Sequence, residues 1–304
     1  MPHTRSVFLL LPLLAWGSPA RALSESVQAR FVPARGGQQK PASKPNRKLE
    51  PAEVEYLAGV GHYKAGRLKE AIDSFKRAIN LKPSMAVAHF NLGVTYGDLG
   101  QHEEAIACYR TAARAEPKWA LPLLNLGITF SDLHRHQEGI DALQEAVNRK
   151  PNFAEAYFNL GNLYADVKRD EEAIAAYLQA IVLKPDYAEA YYNLGVSYDL
   201  RRKHKEAVEA YRSAIRFKPN AAEIHSNLGL ALARTGHVAE GIEALKRAVS
   251  LNPDLALAHF NLGLIYINSG DRAAAIDQQR ILVNLDREMA DRLSSLLERT
   301  KPQS

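Results

Sequence analysis

Six asparagines stand 34 residues apart along the chain: Asn91, Asn125, Asn159, Asn193, Asn227 and Asn261, each followed by Leu-Gly. A carboxamide carries both donors and an acceptor, the complement of the C=O and N–H of an extended polypeptide. A column of them could hold a main chain without reading its side chains. Six glutamates recur with the same spacing: Glu70, Glu104, Glu138, Glu172, Glu206 and Glu240. In isolation they resemble catalytic carboxylates. Each, however, falls in the first turn of a predicted helix, where the helix dipole favours negative charge. His134 and His136 flank Arg135 in a predicted turn with no cysteine or carboxylate at ligand spacing, so no metal site is expected. The single cysteine, Cys108, takes a place held elsewhere by Ser74, Ala142, Ala176, Ala210 and Ala244, which suits a small space-filler. There is no phosphate-binding loop, no G-x-G-x-x-G and no nucleophile–base pair beyond what the repeat explains. The expectation is therefore no catalytic residue, no cofactor and no metal.

These residues are positioned by a repeat. The unit Ala154–Tyr187 is 34 residues long, and sliding the chain by that length returns the same marks, including Pro83, Pro117, Pro151, Pro185, Pro219 and Pro253. A fixed period of this size is the mark of stacked supersecondary units. With Ala154 as position 1, apolar or small residues at 4, 7, 8 and 11 form one helical face, and those at 20, 21, 24, 27 and 28 form a second. The polar break between them predicts two short antiparallel helices. Proline at 32 ends the second, because it lacks an N–H and clashes with the preceding turn. Position 15 is glycine at residues 66, 100, 236 and 270, which suits a left-handed residue closing the first helix. In repeats three to five it is His134, Lys168 and Arg202, which predicts turns that are strained or differently shaped. Gly139 and Gly241 at position 20 predict close helix contact.

The pattern resembles the tetratricopeptide repeat: bulky at 4, Leu at 7, small at 8, aromatic at 11, Ala at 20, aromatic at 24, Ala at 27 and Pro at 32. The resemblance covers residues 52–289 as seven repeats, 52–85, 86–119, 120–153, 154–187, 188–221, 222–255 and 256–289. It implies an all-α fold, an α-solenoid of seven hairpins forming a right-handed superhelix, with a C-terminal cap over 290–304. In the cap, Asp286 is the expected N-cap and Met289, Leu293, Leu296 and Leu297 share one face. The seventh repeat departs from the pattern at Gln279, Ile281 and Arg287, as end units of solenoids commonly do.

Residues 1–22 read as a cleavable signal peptide: a polar start, an apolar run over 7–16, and Ala20-Arg21-Ala22 as a small-x-small cleavage pattern. The run is shorter than the roughly 20 residues a membrane span needs, so no integral span is expected after cleavage. The reading is export, to the periplasm or the exterior. A bacterial envelope is favoured by the absence of Asn-x-Ser/Thr, and a eukaryotic secretory route is the alternative. Residues 23–51 read as a basic, Pro/Gly-containing linker, with six basic residues against two acidic ones. The chain's net charge of +5 thus resides in its leader and linker, and the repeats give no indication of a nucleic-acid surface.

At 100° per residue, positions 2, 6, 9 and 13 of the first helix lie together, with 5 and 12 beside them. The resemblance implies that this face lines a concave groove. Besides the asparagines, the face carries Phe90, Phe158, Tyr192 and Phe260 at position 5 and Asp98, Asp132 and Asp166 at position 13. The column is similar to the asparagine ladder in the repeat arm of O-linked N-acetylglucosamine transferases. The expected function is a non-enzymatic scaffold binding an extended, neutral-to-basic segment of another protein. The aromatics would stack on its side chains and the aspartates would favour Lys or Arg. The alternatives are an accessory or regulatory subunit of an envelope or secretory enzyme complex, glycosyltransferase-like by that ladder, and a self-assembling structural rod. A catalytic domain is not expected, since only a short cap follows residue 289.

Overall fold

The computed structural model describes residues 49–300, and these divide into two compact units on either side of residue 170, each described here by itself. The signal and nearly all of the linker lie outside the described residues. The first unit holds α1 (Pro51–Lys64), α2 (Leu68–Leu81), α3 (Ala86–Asp98), α4 (His102–Ala115), α5 (Leu121–Asp132), α6 (His136–Arg149) and α7 (Ala154–Asp166). The second holds α8 (Asp170–Leu183), α9 (Ala188–Leu200), α10 (His204–Phe217), α11 (Ala222–Arg234), α12 (Val238–Leu251), α13 (Ala256–Ser269), α14 (Arg272–Leu285) and α15 (Arg287–Arg299). No strand occurs among the described residues. Within each unit, helices pack on their neighbours in chain order, and α15 packs on both α14 and α13. The chain is an all-α solenoid of helical hairpins.

The hairpin seam follows from residue size. Small residues at positions 20 and 27, such as Ala71, Ala105, Ala207, Ala78, Ala112 and Ala214, are fully buried and let the two helices approach. Large rings fill the remaining space: Phe75, Tyr109 and Tyr211 are at most 2% exposed. A side chain at Gly195 would place its Cβ 2.6 Å from the Tyr211 ring, so the ring lies on bare backbone there. Gly241 makes the close contact its position predicts, since a Cβ would come 2.6 Å from the Gly229 carbonyl oxygen.

The ends of the helices are set locally. In the first six hairpins the second helix stops before the residue preceding the proline, which is held extended as in Lys82 (φ −144°, ψ 84°). In the first six hairpins the turn between helices is the same. The N–H at position 16 donates back to the carbonyl at position 11, from Arg67 to His62, Gln101 to Tyr96, Arg135 to Phe130, Arg169 to Tyr164, Lys203 to Tyr198 and His237 to Leu232, at 2.8–3.0 Å. This is the Schellman arrangement, which needs a left-handed residue at its centre. His134, Lys168 and Arg202 adopt φ of 57°, 62° and 58°, against 72–90° at the glycines. Of the two outcomes open in the sequence, these turns are strained but not differently shaped. In those same three turns the position-16 cation lies over the position-11 ring: Arg135 over Phe130 and Arg169 over Tyr164 at 4.6 Å, and Lys203 over Tyr198 at 6.0 Å. The side-chain contact that accompanies a Schellman turn is here a cation–π pair.

Consecutive repeats are also joined by a bond from a histidine at position 4 to the carbonyl of the preceding repeat's proline. The Nε2 of His89, His225 and His259 lies 2.9 Å from the carbonyl of Pro83, Pro219 and Pro253. A carbonyl only accepts, so Nε2 carries the proton in each. At the end of the array, the Asp286 side chain accepts from Met289 N at 2.9 Å, capping α15 as expected. Met289, Leu293, Leu296 and Leu297 are all buried.

Candidate partner-binding face

From the second hairpin on, the first helix carries the asparagine column, Leu57 standing in its place in the first. In the first unit, Asn91 is fully buried, and its Nδ2 donates to the Tyr56 hydroxyl at 2.9 Å. In the second, Asn227 Nδ2 donates to the Tyr192 hydroxyl at 3.1 Å and Asn261 Nδ2 to Ser226 Oγ at 3.3 Å. In all three the acceptor is 35 residues upstream, at position 5 of the preceding repeat. Burial raises the hydroxyl pKa of Tyr56 and of Tyr192 to about 12, although their asparagines pull each back. Both therefore stay protonated. Asn193 is buried as well, at 3% exposure. Asn159 is half-buried and donates to the carbonyl of Glu155, one turn back on its own helix, at 2.8 Å. Asn125 is buried, and its amide faces the Tyr109 hydroxyl, whose pKa burial raises and this amide pulls back.

Position 5 is corrected by the structure. Phe90, Phe158, Tyr192 and Phe260 are 0%, 3%, 2% and 7% exposed, so they are interior rings and not stacking surfaces for a ligand. Phe90 packs against Trp119 and Tyr109 at ring-centre distances of 4.8 and 5.7 Å. Tyr192 packs against Tyr211 at 6.0 Å. Stacked repeats press on a first helix from three directions, its own second helix and its neighbours on either side. The buried arc is therefore wider than the positions 4, 7, 8 and 11 facing its hairpin partner.

The acidic positions divide. Asp98, Asp132 and Asp166 are exposed, and Asp98 accepts from the Tyr63 hydroxyl at 2.5 Å. At position 2, Glu155 is half-exposed, whereas Glu189 is paired with Lys218 at 2.6 Å. Asp199 is buried in the second unit. Its Oδ1 lies 2.8 Å from His204 Nδ1 and 4.0 Å from Arg234 Nη1, and its Oδ2 accepts from the Tyr211 hydroxyl at 3.1 Å. Burial raises its pKa above the ordinary 3.8, and these partners only partly offset that. The half-exposed apolar residues of α5, Leu121 and Ile128, complete the first unit's accessible surface beside Asn125. The sequence reading did not single them out, though they fill positions 2 and 9 of its own face.

Among the described residues no cluster of His, Cys, Asp and Glu could hold a metal ion, and no helix is long and apolar enough to cross a membrane. Burial raises the Cys108 thiol to about 11, as befits a space-filler.

A stack of 34-residue helical hairpins with this seam and these turns defines a tetratricopeptide-repeat protein. The family model described as the C-terminal domain of cilia and flagella-associated protein 70 matches residues 16–256, and the chain belongs to that family. A second model, tetratricopeptide repeat, matches residues 226–288. Among solved structures, MamA is 31% identical over 56% of this chain and 93% of that one, with a TM-score of 0.52. Two others share the fold at lower identity. YrrB, described as a TPR protein with an unusual peptide-binding site, is 20% identical over 62% of this chain and 96% of that one, at 0.55. A tetratricopeptide repeat protein from Parabacteroides merdae ATCC 43184 is 16% identical over 81% and 98%, at 0.57. Comparison with curated proteins returns no match.

Proposed function

We propose that the chain is a non-enzymatic scaffold that holds an extended, neutral-to-basic segment of another protein on the first-helix face. The observation that carries this is the first unit, where Asp132 and Asp166 are exposed and Glu155, Leu121 and Ile128 are half-exposed on the first helices α5 and α7. Acidic groups of one sign on a face favour cationic partners and repel anionic ones. A panel of extended peptides of basic, neutral and acidic composition tests this. Basic and neutral peptides should bind with an affinity that falls as salt rises. Replacing Glu155, Asp132 and Asp166 by Gln, Asn and Asn should weaken the basic ones and flatten their salt dependence. Tight capture of an acidic peptide, unweakened by salt, would overturn the reading. We further propose that the protein is exported and begins near Leu23, on the strength of the apolar run and the Ala20-Arg21-Ala22 pattern. N-terminal sequencing of the protein from its native compartment decides this, since an intact Met1 would refute it.

A further inference from the structure

We infer that residues 23–32 of this chain lie across α1 and close the N-terminal end of the repeat array. The surface they cover is apolar and bare. In α3, α5 and α7 the residues at positions 3, 7 and 10 are all buried, and each of these helices packs on the second helix of the hairpin before it. Ala88 and Leu92 of α3, for example, share a cluster with Ala71 and Phe75 of α2. Position 6 faces the same way, since Asn91 reaches Tyr56 of the preceding repeat. In α1, the first described helix, these four places are Val54, Leu57, Ala58 and Gly61, and all four are exposed. A Cβ at Gly61 would meet nothing within 4 Å, whereas one at Gly59, on the other side of the helix, would come 2.6 Å from the Phe75 ring. Leucine at position 6, where the later repeats have asparagine, suits a place covered by hydrocarbon. The last helix is finished differently: α15 buries its apolar side and leaves Glu288, Asp291 and Glu298 exposed.

The occupant is argued from the chain upstream. Leu23, Val27 and Phe31 recur every fourth residue, the spacing of one helical face, with Ser24 as a start signal and Pro33 as a stop. The family match begins at residue 16, ahead of this stretch. Residues 33–48 join it to Leu49. A coil of that length spans about 20–24 Å, close to the roughly 21 Å length of α1 itself. A second copy of the chain suits the surface less well. A stripe along one helix of this length offers on the order of 200 Å², against about 800 Å² per partner in a stable complex. A tethered segment needs no such area, because the linker holds it at a high effective concentration. The inference is independent of the peptide reading above and of where the mature chain starts, since residues 23–32 are present either way.

The test uses the chain beginning at Leu23, with Cys108→Ala, a residue that place holds in four other repeats, and Gln28→Cys carrying a nitroxide. Gln28 lies off the face made by Leu23, Val27 and Phe31, so the label does not block the contact. With valine and leucine methyl groups isotopically labelled, the nitroxide should remove most of the signal of Val54 and Leu57 and spare Leu163 on α7, three hairpins on. Adding Phe31→Asp should release the segment and restore both signals. Leu57→Asp, at an exposed position, should restore that of Val54 from the other side of the contact. Undiminished Val54 and Leu57 signals overturn the inference, as does a loss that survives Phe31→Asp and Leu57→Asp. A mixture of nitroxide-bearing chain with methyl-labelled chain lacking the nitroxide should show no loss. A loss in that mixture means that the segment reaches a second copy, and closure within one chain falls.

Discussion

The second hairpin, α3 with α4, and the fifth, α9 with α10, are built on one seam and finish it in opposite ways. In each, a glycine at position 8 lies under a buried tyrosine, Gly93 under Tyr109 and Gly195 under Tyr211. At position 12 they part. The second hairpin has Gly97, with its carboxylate one residue later at exposed Asp98, bonded to Tyr63. The fifth has Asp199, 7% exposed and bonded to Tyr211 itself, with His204 and Arg234 around it. A shift of one residue, about 100° around a helix, moves an acid from the surface, where it is available to a cationic ligand, into the interior, where it must be neutralised by the protein's own groups. The repeat fixes the scaffold, and single departures from it decide which charges face outward.

The largest effect should come from attacking the seam the two hairpins share. Gly195→Leu must displace the Tyr211 ring, which a Cβ alone would approach to 2.6 Å. Overpacking of this kind costs about 1–3 kcal/mol. The loss should register as a lower melting temperature, and it would also unseat the hydroxyl that donates to Asp199. Gly93→Leu should cost a similar amount through Tyr109, with no buried acid to disturb. Equal melting of wild type and both variants would show that the seam is not packed as described.

A smaller effect isolates the buried acid. Because burial raises the Asp199 pKa above 3.8, the folded chain takes up its proton more readily than the unfolded one. Its favourable contribution is fully present below pH 3.8 and is lost as pH rises through the folded-state value. Asp199→Asn keeps an acceptor for Tyr211 and removes the ionisation. Relative to wild type, the variant should gain stability steadily as pH is raised from 3 toward 7. Denaturant midpoints across that range are the measurement. A relative gain that grows as pH falls would mean that His204 and Arg234 stabilise the carboxylate by more than burial costs it.

Much of this molecule was readable in advance. The period, the two helices of each hairpin, the proline stops and the capped final helix all follow from local patterns, and each has a local cause. The failures lie where a residue's fate depends on the neighbouring repeat. Phe90 and Tyr192 read as groove-lining because the angle around a single helix was counted without the helices stacked on either side. The asparagines read as six equal members of a column, yet their partners differ because residue i − 35 differs. That difference was visible in the sequence as Tyr56, Phe90, Tyr192 and Ser226. What was missing was the knowledge that position 5 of one repeat touches position 6 of the next, which is a property of packing. The same holds for the bond from His89 to Pro83, whose spacing recurs at His225 and His259.

The smallest effect concerns the turn that brings Asp199 to His204. In the second hairpin the corresponding turn is closed by Gly100 at φ 72°, and in the fifth by Arg202 at φ 58°. A non-glycine residue in this region costs roughly 1–2 kcal/mol. Glycine costs about 0.5–1 kcal/mol in lost conformational freedom on folding. The two oppose each other, so Arg202→Gly should stabilise by a few tenths to about 1 kcal/mol. The reverse exchange, Gly100→Arg, should lose somewhat more than that, because the turn itself supplies no cation to its ring, and the one over Tyr96 comes from Lys76 on α2 at 5.8 Å. The fifth turn has Lys203 over Tyr198 at 6.0 Å, whereas the second has Gln101 in the equivalent place. Adding Gln101→Lys to Gly100→Arg should therefore recover part of the loss by bringing a cation of the turn itself to Tyr96, beside the one Lys76 supplies. A double variant no more stable than Gly100→Arg alone would mean that the cation over the ring contributes nothing to holding a strained turn, and that its presence in the three glycine-free turns has another cause.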